Sequence, residues 1–386
     1  MKVVLSTLGK FHTFDLAREL NRHSALVGVY TAYPRFKLHG EELPANKIHT
    51  FPWLHAPYMA WAGRERLGVR LLRAWEWWDR ALLDRHVARQ LPACDVFVGL
   101  SSSALLTGRE ARRRGARYVC DRGSTHIRAQ DAWLRDEHER WGFDYPGIDP
   151  RIIDREEAEY AEADCITVPS AFNVRSFVDQ GVPGRKIRRL PYGVNLERFQ
   201  PSGAPDPDRF DVLFAGAMSL RKGIPYLLRA YRAVQHPRKS LSFAGAVSGE
   251  LVAKMRSLGL WPDDVRLLGH LAQPDLRDAM SRSHVMVLPS IEEGLALVQA
   301  QAMACGCPVI GTPNTGAEDL FVDGEEGCIV PARDSDALAD RLQRLADRPE
   351  WRAQLSLRAR AKVQRAGGWR DYGDQAMTLY RELIAA

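Results

Sequence analysis

The chain has 386 residues, 45% of them hydrophobic, and its basic residues exceed its acidic residues by 54 − 48 = 6. This length suits two domains, and the modest positive charge favours a phosphorylated ligand or an anionic membrane surface over duplex nucleic acid, which needs a denser basic stripe. No stretch reaches the ~20 apolar residues that span a bilayer, and the short apolar run after Lys2 does not predict a secretion signal.

The cysteines show no paired spacing typical of a metal site, and the single Cys305-Gly-Cys307 pair is a weak signal. We therefore expect reduced, buried thiols in a cytoplasmic protein. The six positions are Cys94, Cys120, Cys165, Cys305, Cys307 and Cys328.

The first predicted strand covers residues 1–5 and is followed by a loop containing Gly9 and Lys10. An amphipathic helix comes next, because Phe14, Leu16 and Leu20 recur on one side of a helical projection. A strand, a glycine loop and a helix favour a nucleotide-sugar or dinucleotide domain, although a single glycine is equally consistent with a simple turn.

Further apolar runs predict an alternating α/β pattern through the first half. The predicted strands are 26–30, 47–51, 95–100, 117–120, 165–169 and 186–190, with a helix at 156–163. Residues 101–103 are three serines at the carboxyl end of a strand, where ligands gather in parallel sheets. The charged stretch after His126, broken by Gly142, Pro146 and Gly147, predicts a loop or lid.

Residues 51–80 combine tryptophan and arginine to an unusual degree. They hold five of the ten tryptophans, Trp53, Trp61, Trp75, Trp77 and Trp78, interleaved with Arg64, Arg66, Arg70, Arg73 and Arg80. Indole rings and guanidinium groups suit contact with lipid headgroups, so one hypothesis is a peripheral membrane contact. The alternative is an internal helix whose tryptophans pack on the sheet while the arginines face water.

A proline- and glycine-containing linker at 191–207 precedes a second α/β pattern. Its first strand, 211–216, ends at Gly216, and Arg221 and Lys222 follow before a helix that starts at Pro225. Two basic side chains there can hold a diphosphate through charge-assisted hydrogen bonds, unless they are simply an unpaired surface pair. Later predicted strands are 241–244, 265–268, 285–288, 309–311 and 327–331.

The most informative stretch is 284–312. It predicts a buried strand, then an acidic elbow with Glu293 and Gly294, and then a helix that begins at Leu295 and ends at Gly306. The first amides of such a helix favour an anion. Because phosphate repels a carboxylate, Glu293 is expected to accept hydrogen bonds from hydroxyl groups of a phosphate-bearing ligand. Gln301 lies ~12 Å further along an ideal helix, which suits a nucleotide sugar. The alternative is an ordinary βα unit with an exposed Glu.

These motifs resemble the signature of the family 4 retaining glycosyltransferases. Glu293 matches the first acidic residue of that signature, and Gln301 stands where the second is usually Glu. Lys222 matches a lysine six residues after the elbow glycine, whereas Ala217 replaces the arginine that often follows this glycine. The resemblance covers nearly the whole chain. It implies an α/β GT-B architecture, in which two Rossmann-like doubly wound parallel-sheet domains face each other across a cleft.

The resemblance also implies roles for individual residues. Glu293 would contact the transferred sugar, position 301 the ribose, and Lys222 with Arg221 the diphosphate. His126 would lie close to the donor sugar or the acceptor, unless it is a structural histidine. Glu318 resembles a loop carboxylate of the family. The predicted catalytic residues are Glu293, His126 and Lys222, and the predicted donor-binding residues are Gly9, Lys10, Gly216, Arg221, Lys222, Gly294, Leu295, Ala296, Leu297 and Gln301.

By the same resemblance, the protein would transfer a sugar from a UDP- or GDP-sugar to a glycan or lipid-linked acceptor in polysaccharide or glycolipid assembly. The implied mechanism is front-face attack with retention, in which the leaving phosphate takes the acceptor's proton, without a cofactor or obligate metal. We expect a cytoplasmic enzyme at the inner face of the membrane, with no nucleic-acid partner. The expected domains are 1–197, completed by a helix at about 372–386, and 198–371. Two alternatives are a nucleotide-sugar isomerase and a non-catalytic nucleotide-sugar-binding protein.

Overall fold

The structure is a computed structural model that describes residues 1–61 and 63–386; Ala62, inside the predicted tryptophan and arginine stretch, lies outside the described residues. Two parallel sheets organise the chain. The first contains β1 Val3–Thr7, β2 Leu26–Thr31, β3 Ile48–Thr50, β4 Val96–Leu100, β5 Arg117–Asp121, β6 Cys165–Val168 and β7 Ile187–Arg189. The second contains β8 Phe210–Ala215, β9 Lys239–Ala244, β10 Val265–Gly269, β11 Val285–Leu288, β12 Val309–Gly311 and β13 Cys328–Ile329.

Helices cover both faces of each sheet. Those of the first half are α1 Thr13–Arg22, α2 His55–Ala60, α3 Val69–Gln90, α4 Leu105–Arg113, α5 Ile127–Trp141, α6 Pro150–Glu162 and α7 Ala171–Asp179. Those of the second half are α8 Ile224–Ala233, α9 Gly249–Ser257, α10 Gln273–Arg282, α11 Leu297–Ala304, α12 Ala317–Leu320, α13 Ser335–Asp347, α14 Pro349–Arg365 and α15 Gly368–Ala385.

The strand order confirms two doubly wound sheets. The orders are β3-β2-β1-β4-β5-β6-β7 and β10-β9-β8-β11-β12-β13, and in both the order reverses beside the first strand of the sheet, β1 or β8. Ligands of such sheets bind at the carboxyl ends of the strands near this reversal. The loops after β1, β4, β8 and β11 are therefore the ones that the fold brings to a common edge of each sheet.

The last helix, α15, returns to the first domain. Its Tyr372, Ala376 and Tyr380 join Phe14 and Leu20 of α1 in one buried cluster. The helix begins at Gly368, a few residues before the predicted start near 372. The domain limits near 197 and 371 stay predictions.

The charged segment after His126 was predicted as a loop or lid, and that prediction is wrong for most of its length. Residues 127–141 form α5, whose Trp141 is buried in a core cluster of the second domain. The indole of Trp141 donates a hydrogen bond to Tyr226 of α8 at 3.4 Å, and Arg333 pairs with Glu137 at 2.8 Å. The partners that bury the end of this charged helix belong to the other domain, whereas Ile127 at its start packs in the first-domain core. Its sequence pattern alone does not show these two surroundings.

The cysteines form no disulfide in the structure; five of the six are buried, and Cys94 is partly buried. Burial raises the pKa of Cys305 to about 11, which keeps this thiol protonated and unreactive at neutral pH. Of the helices within the described residues, none combines the length and the apolar composition that a membrane crossing requires.

Candidate active site

A cleft of about 880 Å³ lies between the two domains at the carboxyl ends of their strands. The first domain contributes Lys10, His12, Ser101, Arg122 and Gly123 among other residues. The second contributes Gly216, Lys222, Glu293 and residues 295–298, among others. The predicted donor residues Lys10, Gly216, Lys222, Leu295, Ala296 and Leu297 therefore reach one cavity.

Two elbows of the second domain meet in this cleft. Gly216, which directly follows β8, has φ +145°, a conformation that side chains disfavour, and it leads into a short turn that carries Arg221 and Lys222. The Lys222 ammonium contacts the carboxylate of Glu293 in the elbow after β11. Gly223 permits this approach, because a Cβ there would lie 2.0 Å from the carbonyl oxygen of Pro289. The structure thus brings Lys222 and Glu293 together.

Glu292, which the sequence reasoning passed over, is a buried carboxylate that joins the two domains. It is fully buried and accepts hydrogen bonds from the Ser124 hydroxyl at 2.5 Å and the Gln130 amide at 3.0 Å. Arg221 pairs with it at 3.1 Å. Burial favours the neutral acid, but Arg221 and the hydrogen bonds from Ser124 and Thr125 outweigh it and hold the pKa of Glu292 below its ordinary value. Arg221 therefore fixes this interdomain carboxylate, and it also lies 3.5 Å from Glu293.

The backbone of the acidic elbow is held against the first domain. Asn173 donates to the carbonyl of Glu293 at 3.0 Å, and Ser170 donates to the carbonyl of Gly294 at 2.8 Å. A Cβ on Gly294 would lie 2.0 Å from the carbonyl oxygen of Gly123. Gly294 thus permits close contact between the domains, and it is not among the residues that line the cleft.

His126 does not reach the cleft wall. It caps the start of α5, where Nδ1 accepts a hydrogen bond from the Arg128 amide, and its ring packs against Tyr160 and Phe177 at 5.1 Å. Burial lowers the pKa of His126 to about 4, so the ring is neutral at physiological pH. This surrounding is that of a structural histidine in the first-domain core.

Three other predicted residues, Gly9, Gln301 and Arg221, also lie off the cavity wall. Gly9 contributes its carbonyl oxygen, which accepts a hydrogen bond from Thr31 at 3.3 Å. Gln301 is half-buried on α11, one turn beyond the cavity-lining Val298. Lys10 does line the cavity, and its ammonium contacts Glu41.

A second pair that the sequence reasoning missed lies on the first-domain wall. His12 Nε2 is 2.6 Å from Asp121 Oδ2, and the His12 ring stacks on Tyr192 with 4.2 Å between centroids. The sequence did indicate that each residue lies near the ligand-binding edge of the sheet, because His12 follows the Gly9 loop and Asp121 ends a strand. The separation of 109 residues hides the pairing.

The wall beside Ser101 and Ser102 rests on a buried carboxylate. Ser102 adopts φ +75°, and its amide, like that of Ala104, donates to Glu159 at 2.6 and 2.8 Å. A positive φ is strained for a residue other than glycine, so the contacts around Ser102 must hold it in this conformation. Such strain is common where a loop shapes a binding site.

The tryptophans of residues 51–80 divide into two groups. Trp53, Trp78 and Trp61 are 73%, 54% and 44% exposed. Trp75 is half-buried and donates to the Leu54 carbonyl at 3.1 Å, and Trp77 packs against the first-domain core. The internal-helix alternative therefore describes only the second group.

Side chains of His, Cys, Asp and Glu in the described parts of the chain do not gather in groups of three that could hold a metal ion. Metal independence stays a prediction.

Comparison of the chain with protein families and with curated proteins finds similarity to glycosyltransferases. Residues 209–348 match the family described as glycosyl transferases group 1. The D-inositol 3-phosphate glycosyltransferase of Saccharomonospora viridis is 34% identical over 267 residues, which are 63% of this chain and 61% of that protein. A GDP-mannose-dependent monoacylated alpha-(1-6)-phosphatidylinositol monomannoside mannosyltransferase of Corynebacterium glutamicum is 27% identical over 55% of this chain and 61% of its own. The chain thus spans about three fifths of the length of these curated relatives.

Solved structures resemble the whole chain. Sucrose-phosphate synthase from Thermosynechococcus elongatus superposes with a TM-score of 0.77 at 22% identity, covering 100% of this chain and 99% of that one. Anabaena Alr3699/HepE in complex with UDP and glucose gives 0.71 at 17% identity, over 98% and 99% of the two chains. The chain therefore has the GT-B fold, and the part of it that carries Lys222 and Glu293 matches glycosyl transferases group 1.

Proposed function

We propose that this protein is a glycosyltransferase that moves a sugar from a nucleoside diphosphate sugar to a hydroxyl group of an acceptor, with retention of configuration. The observation that carries the proposal is the contact between Lys222 and Glu293 in the interdomain cleft. A cation and a carboxylate side by side suit a ligand in which a diphosphate is joined to a polyhydroxyl ring. The family match over residues 209–348 supports the same reaction class.

In the proposed complex, the diphosphate lies between Gly216 and the start of α11. Lys222 offsets the negative charge that grows on the diphosphate as the sugar leaves, and the unpaired amides at the start of α11 add to this effect. Glu293 accepts hydrogen bonds from the sugar hydroxyls and so orients the anomeric carbon. Arg221 acts indirectly, because its pairing with Glu292 holds the acidic elbow in place. No obligate metal is required in this scheme.

The donor is proposed to be a UDP- or GDP-sugar and the acceptor a glycan or lipid-linked molecule of polysaccharide or glycolipid assembly. One relative is named for GDP-mannose, and a structure of the same fold was solved with UDP and glucose. Other relatives are named for inositol 3-phosphate, which also presents ring hydroxyls. The enzyme is proposed to act in the cytoplasm, at the inner face of the membrane.

A two-stage experiment tests the reaction. Thermal unfolding is first measured with UDP, GDP, ADP, UDP-glucose, UDP-N-acetylglucosamine and GDP-mannose, since a ligand at 100 times its dissociation constant adds ~2.7 kcal/mol to stability. Release of the nucleoside diphosphate is then measured with inositol 3-phosphate and a panel of glycans and lipid-linked sugars. Transfer of a sugar whose new linkage keeps the donor's anomeric configuration is the expected result.

Three outcomes would overturn parts of the proposal. Conversion of the donor without any acceptor would indicate an isomerase. Binding of a donor without turnover would indicate a binding protein, which the replacements Ala217 and Gln301 make the relevant alternative. An inverted linkage would exclude retention.

The membrane contact is proposed to involve an exposed surface around α2 and the start of α3, which we define by Trp53, Trp61, Trp78, Arg66 and Arg70. Exposed indoles place their rings at headgroup depth, and arginines attract anionic lipid. Arg80 of the same α3 helix lines the cleft, so a lipid-linked acceptor at this surface would be close to the reaction site.

Vesicle flotation tests this surface. Vesicles with phosphatidylglycerol should carry the protein, whereas pure phosphatidylcholine should carry much less. The Trp53→Ser/Trp78→Ser variant should lose binding, while Leu357→Ser, which changes a 69% exposed leucine on α14, should not. Equal flotation of both variants, or none by the unaltered protein, would exclude the contact.

A further inference from the structure

His12 and Asp121 form a buried pair at the edge of the cleft. Only 7% of His12 and 5% of Asp121 is exposed, and Nε2 of the histidine lies 2.6 Å from Oδ2 of the aspartate. His12 directly precedes α1, and Asp121 is the last residue of β5, so the fold brings two distant segments together at the carboxyl edge of the sheet.

The orientation of the His12 ring is set from two sides. The Thr167 hydroxyl donates to the other carboxylate oxygen of Asp121 at 2.9 Å, which fixes the aspartate. Tyr192 stacks on the imidazole ring. When Asp121 accepts the Nε2 proton, Nδ1 of a neutral His12 retains its lone pair and is a hydrogen-bond acceptor. This is the arrangement in which an aspartate holds a histidine as a base.

His12 is also close to the acidic elbow of the second domain. A Cβ on Gly123 would lie 3.6 Å from Cε1 of His12, and a Cβ on Gly294 would lie 2.0 Å from the carbonyl oxygen of Gly123. Gly123 is thus close both to the imidazole and to the elbow of Glu293. His12, Gly123 and Glu293 all line the same cavity.

We infer that His12 accepts the proton of the acceptor hydroxyl group during sugar transfer and that Asp121 is its positioning residue. The inference rests on the proposed function. The acceptor oxygen forms a bond to the anomeric carbon while its proton moves to Nδ1 of His12. The bond between this carbon and the phosphate oxygen breaks, and its electron pair leaves with the nucleoside diphosphate. Asp121 stabilises the imidazolium, which later returns its proton to water.

This role differs from the mechanism in which the leaving phosphate takes the proton, and the difference is measurable. If His12 is the base, the rate of transfer and its dependence on pH should change when His12 is replaced, whereas a proton taken by the leaving phosphate should leave both unchanged. The charged or titratable groups around the ring are Asp121, Asp15, Tyr192 and Arg122, with Lys222 and Glu293 across the cleft. Burial raises the pKa of Tyr192 well above its ordinary value, so this phenol stays neutral.

The experiment compares His12→Gln and Asp121→Asn with His55→Gln. His55 is a matched control, because it forms a similar buried pair with Asp79 at 2.7 Å but does not line the cleft. For each protein, nucleotide binding is followed by the thermal shift with UDP and GDP. Nucleoside diphosphate release is followed from pH 5 to 9, with the acceptor that the unaltered protein uses or with water as the acceptor.

His12→Gln should keep the nucleotide shift, lower kcat by roughly 10²- to 10⁴-fold and change the pH profile. Asp121→Asn should keep the nucleotide shift, lower kcat at least 10-fold and alter the shape of the pH profile, because His12 loses the hydrogen-bond partner that orients it. His55→Gln should match the unaltered protein in both readouts.

An unchanged rate and pH profile in His12→Gln would assign the proton to the leaving phosphate and overturn the inference. Loss of the nucleotide shift together with the rate would make His12 a donor-binding or structural residue and would overturn it as well. Failure of the proposed function is a separate observation, namely no release of nucleoside diphosphate by the unaltered protein.

Discussion

Glu292 of the second domain accepts two hydrogen bonds from Thr125 of the first, from its amide at 3.2 Å and from its hydroxyl at 2.8 Å. Both domains therefore share this buried carboxylate beside the cleft. Its chain neighbour, Glu293, lines the cleft with Lys222. Two adjacent glutamates thus have different surroundings, since one is buried between the domains and the other lies on the cleft wall.

Glu292→Gln should lower the free energy of unfolding by roughly 3 kcal/mol, because it removes the charge of a fully buried carboxylate that pairs with Arg221 and accepts hydrogen bonds from the first domain. Urea unfolding at pH 7 measures the change. Glu318→Gln is the control, since Glu318 pairs with Arg175 across the same domains at 2.9 Å but is exposed, and its loss should cost less than about 1 kcal/mol. Equal effects of the two variants would contradict the assignment.

The same carboxylate predicts an acid-sensitive interface. The pKa of Glu292 is lower in the folded protein than its ordinary value of 4.5. Its stabilising contribution is therefore present above pH 4.5 and is lost as the pH falls through the folded pKa. The stability difference between the unaltered protein and Glu292→Gln should shrink as the pH is lowered from 5 to 3.

Lys222→Ala should reduce sugar transfer by about 10²-fold, because the leaving diphosphate loses a positive charge aimed at it. Glu293→Gln should reduce kcat/KM for the sugar donor and leave binding of the free nucleoside diphosphate nearly unchanged. Because the two side chains contact each other, the double variant should lose less than the product of the single effects. Lys362→Ala is the control and should leave transfer unaltered. Lys362 lies on α14 and pairs with Glu326. Strict additivity would indicate that Lys222 and Glu293 act independently.

Gly294→Ala should force the domains apart or destabilise the protein by about 1–3 kcal/mol, because the added methyl group meets the backbone carbonyl of Gly123 at 2.0 Å. Thermal unfolding and the radius of gyration from small-angle scattering report the two responses. Gly249→Ala is the control, since a Cβ there meets nothing within 4 Å and should be neutral or stabilising by about 0.5 kcal/mol. A Gly294→Ala protein with unchanged stability and size would show that the domains do not approach so closely.

Stability should also depend on pH through Glu159. Burial, with the nearby Glu156, raises the pKa of Glu159 to about 8 from an ordinary value of 4.5. The folded protein therefore holds a proton that the unfolded chain releases between these values, and the free energy of unfolding should fall as the pH rises through this window. One such group contributes at most about 1.4 kcal/mol per pH unit.

Urea unfolding of the unaltered protein and Glu159→Gln between pH 5 and 9 tests this expectation. The free energy of unfolding of Glu159→Gln should depend less steeply on pH than that of the unaltered protein. Glu157→Gln, at a half-exposed position of the same helix that pairs with Arg128, should retain the slope. If the free energies of unfolding of Glu159→Gln and the unaltered protein changed equally with pH, Glu159 would be ionised over this whole pH range.

Much of the fold and part of the site were predictable because their signals are contiguous in the chain. Apolar runs closed by glycine or proline predicted most strands, and the alternation with helices predicted two doubly wound sheets. Lys222 and Glu293 were found for the same reason, since each lies in a short elbow between a strand and a helix. Both reach the cleft.

Long-range packing decided the rest. The sequence by itself determined which segments are strands, which elbows carry charge and where a diphosphate could meet helix amides. Only the tertiary structure showed that Glu292 is buried between domains, that His126 belongs to a core and that His12 meets Asp121. It also showed that charged α5 is a packed helix. The physical reason is that local patterns set backbone conformation, whereas the protonation and partners of a side chain depend on which distant segments surround it.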